Sequence, residues 1–183
     1  MARLVEAGAL SWWLTKARIA AASNSLSGRV LDYACGVGAL AEICQTDSYV
    51  GYDHDPRKVA IARQDRPGYT FVDSAPQGEL FDTVAALAFI EHVADPAAMM
   101  SELAGYLHPG GTIVLTTPHP KLEWVHTAGA KIGLFSSAAH DEHEDLIDRR
   151  RMVALVAGTD LSLVEYRRFL LGANQLFVLR RRS

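Results

Sequence analysis

Short apolar runs and helically spaced stretches alternate along most of this chain. Residues 3–22 are apolar over most of their length and stop at Ser23-Asn24-Ser25, which predicts a helix. Arg29-Val30-Leu31-Asp32-Tyr33-Ala34 reads as a short strand, and after the turn Cys35-Gly36-Val37-Gly38 residues 39–45 suit a helix. A second strand over 49–52 ends at Asp53. Asp55 followed by Pro56 is a cap and first-turn pair, so a helix should run from there to about Arg63. Strands follow at 69–72 and 81–87, the second apolar enough to be buried on both faces. Asp95-Pro96 repeats the helix start, that helix runs to Leu107, and His108-Pro109-Gly110-Gly111 stops it before a strand over 112–116.

Beyond Pro118 the rhythm changes. About thirty residues pass before the next clear helix, long for a passive connection. Within them Leu122, Val125, Gly129 and Ile132 outline a short amphipathic helix. Asp148 is placed to cap a helix bearing Met152, Leu155 and Val156 on one face, with Gly158 as its stop. Residues 161–166 and 174–179 then form two strands, expected as an antiparallel pair. Strand and helix alternating at this spacing predict an α/β fold, a doubly wound, seven-stranded, mostly parallel sheet of Rossmann-like type with right-handed crossovers.

The 183 residues, 49% of them hydrophobic, suffice for one ordinary core, so residues 1–183 are expected to form a single domain. Its parts would be the helix of 3–22, a ligand-binding half over 29–117, a cover over 118–147, and a last helix and strand pair over 148–183. A net charge of −3 gives no broad basic field for nucleic acid. The arginine clusters at 149–151 and 180–182 suit solvated surface. Two cysteines without Cys-x-x-Cys spacing imply neither a disulfide framework nor a metal site, which fits a reducing, cytoplasmic setting. The apolar run from Ala7 to Leu14 is flanked by Glu6, Lys16 and Arg18 in a pattern unlike a signal segment, and no apolar stretch reaches membrane-spanning length.

The turn after the first strand carries the chemistry. Glycines between a strand and a helix let a ligand approach the backbone. Gly36-x-Gly38-x-x-Ala41, with Asp53 where a ribose carboxylate belongs, fits a dinucleotide fingerprint. Asp32 separates the alternatives, because it stands four residues before the first glycine and still on the strand. A carboxylate there would repel a pyrophosphate and suits a ligand with a positive end, such as an ammonium beside a sulfonium. The plainer readings are that Asp32 caps the turn and Asp53 starts the next helix. Cap chemistry explains single acids but not the ordered set.

With these residues the chain resembles the class I S-adenosylmethionine-dependent methyltransferases, most closely the small type 11 branch. Val30-Leu31-Asp32-Tyr33-Ala34-Cys35-Gly36-Val37-Gly38 looks like that family's first motif, and Asp53 like the acidic end of its second strand. Phe81-Asp82-Thr83-Val84 followed by Ile90-Glu91-His92-Val93 and Asp95-Pro96 resembles its fourth-strand segment. Leu107-His108-Pro109-Gly110-Gly111-Thr112 resembles the turn into its fifth strand. The departures are Ala34 for a usual glycine, Val72 for a frequent glycine and His108 for a basic residue. The resemblance implies S-adenosylmethionine as cofactor and S-adenosylhomocysteine as its product. Asp32, Ala34, Gly36 and Gly38 would surround the methionine portion, and Asp53 would take both ribose hydroxyls. His54 would lie beside the ribose or adenine, Asp73 and Ser74 at the adenine, and Leu87 and Ala88 below the sulfonium.

The acceptor side is less marked. Ala88-Phe89-Ile90-Glu91 stands where many amino-group methyltransferases carry Asn-Pro-Pro-Tyr, which favours O- over N-methylation. His92, His119, His140 and His143 are the histidines available as a base. His92 belongs to a motif shared across acceptors, His119 follows the fifth strand, and His143 resembles a histidine many relatives carry before their last helix. His143 is the first choice and His119 the second. His140 and His143 have a metal-like spacing, but beside Asp141, Glu142 and Glu144 they suit a polar surface turn, and no metal is expected. Trp12, Trp13, Trp124 and Phe135 would gather as a lid, and Trp124 to Phe135 would meet a hydrophobic acceptor or a membrane surface. The expected acceptor is a small or lipid-linked molecule. The alternatives are a non-catalytic protein that binds the same cofactor and a nicotinamide-dependent oxidoreductase, the latter disfavoured by Asp32 and by Pro109-Gly110-Gly111.

Overall fold

The computed structural model describes residues 9–120 and 147–183. Helix α1 covers Ala9–Ala22, β1 Val30–Tyr33, β2 Tyr49–Tyr52, α2 Pro56–Asp65, β3 Thr70–Val72, β4 Phe81–Leu87, α3 Pro96–Gly105 and β5 Leu107–Pro118. Helix α4 follows at Arg149–Val156, then β6 at Leu161–Phe169 and β7 at Asn174–Arg181. The strands make one seven-stranded sheet in the order β3-β2-β1-β4-β5-β7-β6. The first five are parallel, and β7 lies antiparallel between β5 and β6. The order reverses between β1 and β4, which opens a crevice at the carboxyl edge beside the end of β1.

Local chemistry explains the helix starts. The Asp55 carboxylate accepts from the Arg57 amide at 3.0 Å and the Asp95 carboxylate from Ala98 at 3.0 Å, each with proline in the first turn. Asp148 caps α4 through the Arg151 amide at 2.8 Å. Helices cover both faces. Met100 and Leu103 of α3 with Met152 and Val156 of α4 pack on Leu31, Val84, Ile113, Leu115 and Phe177. On the other face Val59 and Ala62 of α2 meet Tyr49, Phe71 and Ala85, while Ala22 of α1 meets Val114, Leu176 and Val178.

Two elements differ from expectation. Residues 39–43 form a short 3-10 helix, not a helix reaching Gln45. Gly38 enters it in the left-handed region, and Cys44 leaves it extended. Strand β5 begins at Leu107, before the turn that was expected to precede it. Leu107 pairs with Phe81 and Thr112 with Thr83, so His108–Gly111 forms a bulge inside the strand.

Residues 121–146 lie outside the description, but both flanks are fixed. The buried Gln175 of β7 donates its amide to the carbonyls of Pro118 (3.0 Å) and Ile147, and accepts from Tyr166 at 3.3 Å. The neighbouring His119 amide donates to the Ala173 carbonyl at 2.9 Å. No helix among the described residues is long and apolar enough to cross a membrane.

Candidate functional site

β1 delivers Asp32 to the carboxyl edge with its side chain only 4% exposed. The Tyr49 hydroxyl donates to Asp32 Oδ2 at 2.7 Å and is its only hydrogen-bond partner among the described residues. Burial pushes the Asp32 carboxyl up to about 7; the Tyr49 bond opposes this, and the charge of Asp53 adds to it. Among the described residues this carboxylate has no cation paired with it. Immediately after it the chain turns through Ala34 at φ 61°, Gly36 at φ 57° and Gly38 at φ 79°.

The two glycines serve different ends. A Cβ at Gly36 would meet nothing within 4 Å, so its backbone faces open space where a ligand can approach. A Cβ at Gly38 would stand 2.4 Å from the Phe71 ring, so that glycine lets the turn pack against β3. Ala34 carries a side chain through the left-handed region, which costs roughly 1–2 kcal/mol.

A cavity of about 260 Å³ opens over this turn. Of the residues expected at the ligand, Asp32, Ala34, Gly36, Leu87 and Ala88 line it. Ala88 is also left-handed, at φ 53°, with its amide donating to the Thr116 carbonyl at 2.8 Å. The opposite wall comes from α1, through Thr15, Arg18 and Ile19.

Arg18 is the site residue that motif reading missed. Its Nε donates to Asn174 Oδ1 at 3.2 Å, and among the described residues its outer nitrogens have no hydrogen-bond partner. Burial lowers its pKa from the ordinary value, and the nearby Glu91 charge partly opposes this. The sequence carried no distinct signal for it: Arg18 shares the second half of α1 with Lys16, and neither stands in a motif. Among the described residues, the cavity thus carries a carboxylate without a cation on one wall and a guanidinium edge without a partner on the other. That is the complement of a zwitterion.

Asp53 sits behind the turn, only 2% exposed. Its Oδ2 accepts from the Gly36 amide at 2.9 Å and its Oδ1 from the Asp55 amide at 2.9 Å, with Lys58 Nζ 3.7 Å from Oδ2. A carboxylate has about four acceptor sites, so capacity for two further bonds remains. Asp53 therefore anchors the glycine turn in addition to any ligand contact. His54 is exposed, with Nδ1 3.7 Å from Asp53 Oδ1, and Asp73 and Ser74 are exposed just past β3. None of these four lines the cavity.

On the acceptor side His119 follows the end of β5 and is buried, while His92 is exposed. Trp12 and Trp13 are about half exposed on α1 and do not line the cavity. His140, His143, Trp124 and Phe135 lie outside the described residues. Burial raises the Cys35 and Cys44 thiols, to about 11 for Cys44, so neither is an activated thiolate.

A doubly wound sheet with a glycine turn after β1 and a crevice at its reversal point defines a cofactor-binding domain of Rossmann-like class. The family follows from comparison. Residues 10–166 match the family described as methyltransferase domain, and the chain belongs to it. An alignment 100 positions long, covering 49% of this chain, is 37% identical to a ubiquinone biosynthesis O-methyltransferase of Cereibacter sphaeroides. The match spans 40% of that relative's length, well under two thirds. A protein from Pyrococcus horikoshii has the same fold at 15% identity and a TM-score of 0.74, over 97% of this chain and 94% of that one. The magnesium protoporphyrin IX methyltransferase of Synechocystis, crystallised with SAM bound, superposes with a TM-score of 0.61 at 17% identity, over 94% and 78%.

Proposed function

We propose that the chain is an S-adenosylmethionine-dependent methyltransferase acting on an oxygen of a small or lipid-linked acceptor. The carrying observation is the pairing of Asp32 and Arg18 across one cavity over the open backbone of Gly36. Asp32 would hold the ammonium and Arg18 the carboxylate of the cofactor's amino-acid end. A nicotinamide dinucleotide has no such end, which disfavours the oxidoreductase alternative. The methyltransferase family, the named relative and the SAM-bound neighbour all support the reading.

Bound there, the cofactor supplies an activated methyl group on a sulfonium. The protein's share is alignment and proton removal. Leu87 and Ala88, at the end of β4, form the apolar floor on which the reacting atoms would lie. Asp53 keeps the Gly36 turn in place and has lone pairs left for ribose hydroxyls, while His54, Asp73 and Ser74 would meet the adenosine as it extends beyond the cavity. Residues 118–147 would supply the acceptor side, with His143 as the base and His119 the second candidate. The O-methylating relative and the Ala88-Phe89-Ile90-Glu91 segment favour oxygen over nitrogen.

S-adenosylhomocysteine should raise the melting temperature while NAD and NADP leave it unchanged, since a ligand stabilises only the state that binds it. Transfer of label from methyl-labelled cofactor to hydroxylated acceptors then tests the reaction. A flat thermal response to both sulfur cofactors at millimolar concentration overturns the reading.

A further inference from the structure

We propose that Asn174 is the positioning residue for Arg18, turning its guanidinium so that the outer nitrogens face the cavity. The proposal rests on the zwitterion reading above. The two residues are 156 positions apart, one on α1 and one at the start of β7. Asn174 is fully buried and is held on both sides by the sheet, opposite Pro118 of β5 and Phe169 of β6. It is a rigid mount.

The amide uses only one of its halves. Oδ1 accepts from Arg18 Nε, while Nδ2 is buried with no partner among the described residues. An idle buried donor is costly and calls for a reason, and the acceptor half's bond to Arg18 supplies one. A guanidinium can meet a carboxylate through its Nε side or through its two outer nitrogens. With Nε committed to Asn174, only the outer pair is left, and it belongs to a residue lining the cavity.

The neutrality of the amide matters as well. Glu91 interacts with Arg18 electrostatically, yet among the described residues it makes no ion pair with it, and burial raises its carboxyl pKa. A neutral acceptor at Nε fixes orientation without cancelling charge. The Arg18 charge is thereby left to a ligand carboxylate.

The test is calorimetry with S-adenosylhomocysteine and with 5′-methylthioadenosine, which lacks the amino-acid end. Wild type, Asn174→Leu, Arg18→Ala and the double variant are compared. Asn174→Leu should weaken S-adenosylhomocysteine about tenfold, the low end for a charged hydrogen bond. Binding of 5′-methylthioadenosine should stay within about twofold, and in the Arg18→Ala background the Asn174 change should add less than about twofold. Equal losses for both ligands, no loss, or additive losses overturn the proposal. If Asn174→Leu does not fold, the Arg18 Nε–H resonance of the wild type, assigned with Arg18→Lys, decides. Slow solvent exchange supports the Asn174 contact, and exchange as fast as at exposed arginines overturns it. Failure of the underlying reading shows separately: a wild type that binds both ligands equally, or neither, overturns the zwitterion reading and this proposal with it.

Discussion

Replacing Asp32 by asparagine should make this protein more stable and a poorer binder. The carboxyl is 4% exposed and its folded-state pKa stands near 7 against an ordinary 3.8. Between those values the folded protein keeps a proton that the unfolded chain has lost. Stability therefore falls as pH rises through that window, and above pH 7 the whole cost is present. At about 1.36 kcal/mol per pH unit, that cost is about 4 kcal/mol at pH 8.5 and about 2 kcal/mol at pH 5.5. Asparagine matches the shape, still accepts the Tyr49 hydroxyl and has no charge to desolvate. Its idle amide donor costs about 1–3 kcal/mol, which is independent of pH and smaller than the charge cost at pH 8.5. Urea unfolding of Asp32→Asn against wild type should show a stabilisation that grows by about 2 kcal/mol between pH 5.5 and 8.5. Binding should run the other way. A ligand ammonium favours the ionised carboxylate, so wild-type affinity for S-adenosylhomocysteine should weaken as pH drops below about 7, and Asp32→Asn should remove that dependence. A gain in stability that does not change with pH, or Asp32→Asn less stable at pH 8.5, refutes the argument.

Asp53→Ala should lower stability by about 1–3 kcal/mol, since the amides of Gly36 and Asp55 lose their buried acceptor, and urea midpoints would show it. The same variant should weaken S-adenosylhomocysteine by calorimetry. Ala34→Gly should relieve about 1–2 kcal/mol of left-handed backbone strain and lose about 0.5–1 kcal/mol to chain entropy, a small net gain readable as a higher midpoint with unchanged slope. His143→Ala should leave cofactor affinity intact and slow turnover by roughly 10²–10⁴, measured by single-turnover label transfer. Undiminished turnover moves the base to His119 or removes the need for one.

The fold was legible wherever a local rule decides the structure. Asp55-Pro56, Asp95-Pro96 and Asp148 cap their helices as their side chains predict, and Tyr49–Tyr52 and Phe81–Leu87 are strands to the residue. Reading failed where a long-range contact overrides local propensity. His108-Pro109-Gly110-Gly111 looks like a stop, yet pairing of Leu107 with Phe81 carries it into β5 as a bulge. The site divides in the same way. Asp32, Gly36 and Ala88 follow strand ends, where motifs single them out, and the fold brings them to one cavity. Arg18 depends on where α1 docks and Asn174 on the pairing of β7, and neither lies in any local pattern. The end of β2 marks out Asp53, but its bonds to Gly36 and Asp55 need the folded turn to be seen.

Four of this domain's energetic penalties meet in one place, and that constrains what the cavity is for. Among the described residues, Asp32 is a buried carboxylate without a cation and Arg18 a desolvated guanidinium with its outer edge unpaired, while Ala34 and Ala88 hold left-handed backbone angles. All four line the same space. Packing alone would favour an apolar residue at 32 and glycine at 34 and 88, and each exchange is a single substitution. Such costs persist when something absent from the free protein offsets them. One ligand with an ammonium and a carboxylate a few ångströms apart answers both charges at once, whereas an anion or a cation alone leaves one of them unmet. Ligand stabilisation should accordingly be lost together at Asp32 and Arg18. A double-mutant cycle between them, read as S-adenosylhomocysteine affinity, should show each substitution costing less once the other is made, because a ligand anchored at one end only is poorly placed for the other. Strict additivity would mean that the two walls serve separate ligands.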